Sequence, residues 1–164
     1  RLNMAACLGI STSNINHLVN LKEIDCSESS ITDSAFNNFP VSLESVKLRR
    51  CKNISVFNIN HLVSLKTIDC SKSSITDSTI NSLPDSLETI DLSHCDKISD
   101  FNIKYLVNLK DIACSFSSIT GAAINNFPLS LERIKLNQCK SISDFNINNL
   151  VNLKEIASAI SRFL

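Results

Sequence analysis

The segment INHLVNLKEIDC at residues 15–26 returns as INHLVSLKTIDC at 59–70, IKYLVNLKDIAC at 103–114 and INNLVNLKEIAS at 147–158. A fixed internal period constrains a chain strongly, because each copy must fold into the same unit and bury its apolar face against its neighbours. The period is 44 residues, and a half-period lies inside it: Leu21, Leu43, Leu65, Leu87, Leu109, Leu131 and Leu153 recur every 22 residues without an insertion. Two unit types therefore alternate. The first runs LKEIDCSESSITDSAFNNFPVS from Leu21 and the second LESVKLRRCKNISVFNINHLVS from Leu43.

Both types open on apolar, two variable, apolar, one variable, apolar residues. The alternation I-x-L or I-x-C puts two apolar side chains on one face of a short strand, and each neighbouring turn supplies the same pattern, so the strands stack in parallel over one core. In the later half of each unit, Asp33, Asp77, Ser99, Asp100 and Asp144 precede short apolar runs and read as caps of a helical turn. Phe36, Phe39, Ile80, Leu83, Ile124 and Phe127 in one type read as core of that convex segment. So do Phe57, Ile59, Leu62, Phe101, Ile103, Leu106, Phe145, Ile147 and Leu150 in the other. Pro40, Pro84 and Pro128 end the convex run of every first-type unit. RLNMAACLGI aligns with the second half of a second-type unit, and ASAISRFL is expected as a terminal helix, unless the flanks that would cover the solenoid ends are missing.

The L-x-x-I-x-L opening, followed in the second type by a cysteine and then an isoleucine, resembles the leucine-rich-repeat signature over nearly the whole chain. The 22-residue length and the ISD-x-x-x-x-x-L tail are similar to internalin and phosphatase-regulator repeats. The Cys and the ITD are similar to the cysteine-containing type of ubiquitin-ligase substrate receptors. The resemblance implies an α/β leucine-rich-repeat solenoid, a horseshoe with a parallel concave β-sheet and short helical or 3-10 turns on its convex side. Residues 1–164 read as a single domain of about seven turns, cut from a longer chain.

Composition removes most catalytic readings. Glycine occurs only at Gly9 and Gly121, so the clustered glycines of a phosphate loop, a dinucleotide site or a nucleophile elbow are absent. Lys plus Arg equals Asp plus Glu at 16 each, which leaves no global field for nucleic acid or an anionic membrane. No nucleophile, base and oxyanion donor come together in the pattern; His94 beside Cys95 is the nearest approach. The expectation is a non-enzyme without cofactor, metal or small-molecule substrate.

Seven cysteines fall in two columns, Cys26, Cys70 and Cys114 in one and Cys7, Cys51, Cys95 and Cys139 in the other. Like cysteines are two turns apart, or roughly 10 Å at the strand spacing, which is too far for a disulfide. No C-x-x-C occurs, and His17, His61 and His94 do not gather around a metal. The columns read as structural thiols of a reducing, intracellular compartment, with secretion into a host cytoplasm as a variant; the sequon at Asn53 reads as chance.

The repeats also serve as controls for one another. The residue before the supporting Cys or Ser is Glu28, Arg50, Lys72, His94, Phe116 and Gln138 in six turns, and the middle strand column reads Asp25, Lys47, Asp69, Asp91, Ala113 and Lys135. The expected binding surface is this concave face, with Glu28, Lys47, Arg49, Arg50, Lys72, Asp91, His94, Phe116, Arg133, Lys135 and Gln138 as contacts. Phe116, ringed by His94, Arg133 and Gln138, is its expected hot spot. Lys47, Arg49 and Arg50 form a basic patch beside Glu23, Asp25 and Glu28. The expected partner is a protein of mixed charge, since nucleic acid calls for a continuous basic stripe with several aromatics. Three functions stay open: a protein-interaction module of the host-directed bacterial effector kind, the substrate-recognition arm of a ubiquitin ligase, and a purely structural repeat. The residue after each repeat-opening leucine, Lys22, Glu44, Lys66, Glu88, Lys110, Glu132 and Lys154, alternates in sign and is expected to form an exposed charge ladder. Thiol titration of the denatured, unreduced protein is expected to count all seven cysteines; a markedly lower count contradicts the column register.

Overall fold

The computed structural model describes residues 1–9 and 14–158. Among these residues eight strands form one parallel sheet in chain order: β1 (Leu2–Asn3), β2 (Glu23–Asp25), β3 (Ser45–Lys47), β4 (Thr67–Asp69), β5 (Thr89–Asp91), β6 (Asp111–Ala113), β7 (Arg133–Lys135) and β8 (Glu155–Ala157). Each residue stands opposite the one 22 positions on, so that Ile24 pairs with Val46 and Ile134 with Ile156. A slip of one residue would turn every central Ile or Val outward, which is why the spacing leaves a single register. Each strand from β2 onward starts two residues after its repeat-opening leucine. Leu43, Leu65, Leu87, Leu109 and Leu131 are fully buried, while Leu21 and Leu153, with fewer turns beyond them, are only partly covered.

The amino-terminal alignment needs correction. RLNMAACLGI carries the strand half of its unit, since Leu2 pairs with Ile24 and Asn3 with Asp25. At the other end Ala157 closes β8, and residues 159–164 of the expected helix lie outside the described residues.

The convex side differs between the two unit types. First-type units carry a 3-10 helix (Asp33–Asn38) and two α-helical turns, α1 (Asp77–Ile80) and α2 (Gly121–Ile124). Among the described residues, second-type units carry no helix there. Their asparagines accept main-chain N–H bonds two residues on, Asn58 from Asn60 at 2.9 Å, Asn102 from Lys104 at 3.2 Å and Asn146 from Asn148 at 2.8 Å, and these local turns compete with a helix.

The expected caps are also reassigned. The N-cap residues are Thr32, Thr76 and Thr120, and of these Thr120 accepts from the Ala122 N–H. Asp33 and Asp77 reach outward to the next turn instead. The Asp33 carboxylate accepts from the Ser55 N–H at 2.8 Å, the Ser55 hydroxyl at 3.1 Å and the Val56 N–H at 3.3 Å. Asp77 repeats the staple on Ser99 and Asp100. Ser99, Asp100 and Asp144 lead into no helix, and Asp100 accepts from the Thr120 hydroxyl. Pro40, Pro84 and Pro128 stand beyond the helix ends; their carbonyls accept from Leu43, Leu87 and Leu131 and turn the chain into the next strand.

The expected core residues of the convex segments are buried, apart from Phe145 and Ile147 near the carboxyl end, which are partly covered. Phe36 stacks on Phe57 with centroids 3.9 Å apart, across two adjacent turns. Gly121 holds the register of Asp33 and Asp77, but there the next turn closes in. A Cβ on it would stand 2.1 Å from the Ser143 carbonyl oxygen and 2.6 Å from that of Asp144. Gly121→Ala is therefore expected to lower stability by about 1–3 kcal/mol in urea unfolding, as overpacking does. Gly9→Ala, which meets nothing within 4 Å, leaves the midpoint unchanged.

Candidate functional site

Beyond each of the first seven strands the chain turns through one residue in the left-handed region. Ala6, Glu28, Arg50, Lys72, His94, Phe116 and Gln138 all have φ between 57° and 59°. In three of these turns a carboxylate on the last strand residue helps to close the turn: those of Asp25, Asp69 and Asp91 accept the N–H of Ser27, Ser71 and Ser93 at 2.8–3.0 Å. The left-handed residues from Ala6 to Phe116 each donate their own N–H to the next turn, Glu28 to Arg49 at 2.7 Å and Phe116 to Asn137 at 2.8 Å among them. An L side chain costs about 1–2 kcal/mol in this conformation, yet glycine occupies none of the seven positions.

This geometry corrects the placement of the variable column. Glu28, Arg50, Lys72, His94, Phe116 and Gln138 stand in a rim row, three residues past the strand ends, and not on the concave sheet. The sequence pattern shows which side chains vary but carries no sign of φ, because left-handed residues are ordinarily glycine or asparagine and these are neither. Along the row Arg50 pairs with Glu28 at 3.0 Å. The His94 and Phe116 rings stack with centroids 4.6 Å apart and planes 3° from parallel. Phe116 is 49% exposed. It borders a depression of about 420 Å³ with His94, Gln138, Lys140 and the serines Ser117, Ser118 and Ser141. Lys140 is a contact that spacing alone does not single out, although it sits two residues past Gln138.

The remaining expected contacts lie elsewhere. Arg133 is not part of the ring around Phe116. It projects from β7, where its guanidinium pairs with the Asp111 carboxylate, and it shares a concave depression with Asp91, Asp111 and Lys135. Asp91 is engaged in its own turn through Ser93. Lys47 is exposed on β3 opposite Asp25 and Asp69, and Arg49 is exposed between β3 and the rim. The basic patch and its acidic neighbours are thus brought together, across floor and rim.

No family model matches the chain, and no curated protein sequence matches it. Solved structures do. An internalin (inlF) from Listeria monocytogenes covers 95% of the chain with a TM-score of 0.62 at 14% identity. An internalin C2 (inlC2) from the same organism covers 88% with a TM-score of 0.54 at 18% identity. This chain has the leucine-rich-repeat fold. A TLR13 chain, solved in a complex with ssRNA13, covers 88% with a TM-score of 0.55 at 19% identity. The chain spans 46% of the inlF chain, 26% of the TLR13 chain and 74% of the inlC2 chain.

The leucine-rich-repeat units carry the expected charge ladder. Lys22 pairs with Glu44 at 2.8 Å, Glu88 with Lys66 and Lys110 at 3.6 and 3.8 Å, and Glu132 with Lys154 at 2.8 Å. These pairs are exposed, so they steer register more than they stabilise.

The thiols of this leucine-rich-repeat chain are structural. Cys51, Cys95 and Cys139 donate Sγ–H bonds of 3.0–3.1 Å to the carbonyls of Cys26, Cys70 and Cys114 in the preceding turn. The Ser73 and Ser117 hydroxyls donate to the Cys70 and Cys114 carbonyls at 2.5 Å. His94 faces solvent, whereas Cys95 is buried against the Cys70 carbonyl, and burial pushes its thiol up to about 11. The two residues therefore do not form a nucleophile and base. His61 has a structural partner as well, its ring nitrogen lying 3.3 Å from the Phe39 carbonyl, a place that the Tyr105 hydroxyl takes on Leu83 two turns later. Among the described residues no group of three or more His, Cys, Asp and Glu could hold a metal ion, and no helix is long and apolar enough to cross a membrane.

Burial pushes the Cys26 thiol up to about 12, against an ordinary value of 9.0. Between those values the unfolded chain has released protons that the folded chain keeps. Stability that is full below pH 9 is therefore lost as pH rises through the folded value. The urea midpoint is expected to fall as pH rises from about 9 toward about 12, and Cys26→Ala, whatever its baseline stability, makes that fall shallower.

Proposed function

We propose that this chain is a non-catalytic recognition module that binds a partner protein, with the His94–Phe116 stack on the rim as the anchor of the contact. One observation carries the reading. The chain holds seven left-handed turn positions with ordinary L side chains where glycine would relieve strain, and the largest of these side chains forms an exposed, ordered aromatic stack. Strain retained in this way points to use of the side chain rather than of the turn. An aromatic beside an open depression with polar groups around it is what a binding hot spot needs, since the polar surround excludes water from the apolar contact.

The concave floor adds a mixed-charge surface through Lys47, Asp91, Arg133 and Lys135, and the rim adds Glu28, Arg49, Arg50, Lys72 and Gln138. A protein of mixed charge fits this pattern better than a polyanion. Buried, hydrogen-bonded thiols suit a reducing compartment, inside the producing cell or a host cell. Fold similarity to internalins supports the reading of a bacterial effector directed at a host protein, and the cysteine column supports the second reading of a ubiquitin-ligase recognition arm.

The test compares two deletions of the same ring. Phe116→Ala is expected to weaken partner binding by about 2 kcal/mol or more while folding stays intact. Phe101→Ala, in the buried convex segment, is expected to lower stability by about 3–5 kcal/mol and to affect binding only through unfolding. Affinity that ignores Phe116, His94 and Arg50 but falls on changes to the convex face refutes the assignment.

A further inference from the structure

The rim at which the strands begin carries a feature of a different kind. Two residues before each repeat-opening leucine stand Val19, Val41, Val63, Asp85, Val107, Leu129 and Val151, in strict 22-residue register. The six apolar members are between 58% and 80% exposed, although the flanking leucines at this corner belong to the core. Scattered exposed valines need no explanation, but six at one register make a continuous ridge. At the strand spacing it is about 30 Å long. Its backbone is pinned from both unit types: the Ser42, Ser86 and Ser130 hydroxyls donate to the carbonyls of Leu21, Leu65 and Leu109, and the Asn108 and Asn152 amides donate to the carbonyls of Asp85 and Leu129. The ridge is thus preformed, which lowers the entropy lost on docking.

Asp85 decides what fits. It is exposed at the centre of the ridge, with three apolar residues on either side. A second copy related by a two-fold axis through the centre would set Asp85 against itself, and a bilayer would strip water from the carboxylate without offering a partner. The ladder Lys22, Glu44, Lys66 and onward runs three residues further along each turn and alternates in sign, so it adds no net attraction to an anionic membrane. A basic residue between two apolar stretches matches all seven positions. The repeat distance selects its conformation. Ridge side chains come about every 4.8 Å, a helix presents one face about every 5.4 Å, and a strand presents one face about every 6.7 Å. The helix drifts least over each three-residue arm.

We infer that this valine ridge docks an amphipathic helix of a partner protein, about 20 residues long, with an arginine or lysine at the middle of its apolar face opposite Asp85. The site is separate from the His94–Phe116 rim, on the other side of the strands, and does not depend on it.

The test uses the full chain and two synthetic 20-residue helical peptides, identical except for Arg or Glu at the centre of a leucine face, with binding followed by fluorescence anisotropy. The Arg peptide is expected to bind wild type at least tenfold more tightly than the Glu peptide. Asp85→Lys is expected to reverse that order, and Val63→Asp to weaken both peptides at least tenfold. Circular dichroism of both variants should match wild type, because the altered side chains are exposed. Failure of the Arg peptide to bind wild type, equal affinity for the two, or an order unchanged in Asp85→Lys overturns the proposal. So does a dimer abolished by Val63→Asp, which makes a second copy the occupant. Cosedimentation with phosphatidylcholine and phosphatidylserine vesicles that Val63→Asp abolishes makes it a lipid surface and equally overturns the proposal.

Discussion

Every layer of this molecule depends on main-chain hydrogen bonds that join one turn to the next across 21 to 23 residues, in a register of 22. The bonds do not stop at the three-residue strands. Lys66 donates to Glu44 before β4 and Arg50 to Ser71 after β3, so the ladder extends into both rims. A strand of three residues could not hold a turn alone, and the extension makes each turn a hydrogen-bonded frame of fixed shape. Side chains can then vary on the outer surface without disturbing the path of the chain, which is the condition for a recognition surface on a repeat protein.

Upon this uniform frame the side chains impose a two-turn rhythm. The carbonyls of Cys70 and Cys114 each accept the hydroxyl and the main-chain N–H of a serine in their own turn and a thiol from the next. The column of Cys26, Leu48, Cys70, Leu92, Cys114 and Leu136 alternates small with large inside the core. The Asp33 and Asp77 staples bind a first-type turn to the following second-type turn. Three unrelated devices thus couple turns in pairs. At Gly121 the carboxylate staple is lost and closer backbone contact stands in its place.

The fold was legible because it rests on spacing and burial, and both leave a mark on residue type. Leu43 through Leu131, the central strand residues and the convex phenylalanines lie where the period puts them. The helices were less so: FNINHL and FNIKYL have a helical arrangement of apolar residues, but Asn58 and Asn102 close local turns that periodicity does not register. At the candidate site the variable column was visible and its location was not. Backbone handedness at Glu28 goes with the preceding Asx turn and the interturn ladder, and at Phe116, which follows Ala113, with the ladder alone; neither is a property of the residue itself. Arg133 went astray for a related reason: a sequence does not show that Asp111 on the adjacent strand captures it.

The charge ladder and the cysteine–leucine column together determine how such a chain can change in length. Adding or deleting one 22-residue turn would set either lysine against lysine and cysteine against cysteine, or glutamate against glutamate and leucine against leucine, at the joint, opposing like charges at one surface and mismatched volumes within. A step of 44 residues restores both alternations. Growth and loss of this solenoid by in-frame duplication are therefore favoured in double steps, and its contour length is quantised in pairs of turns.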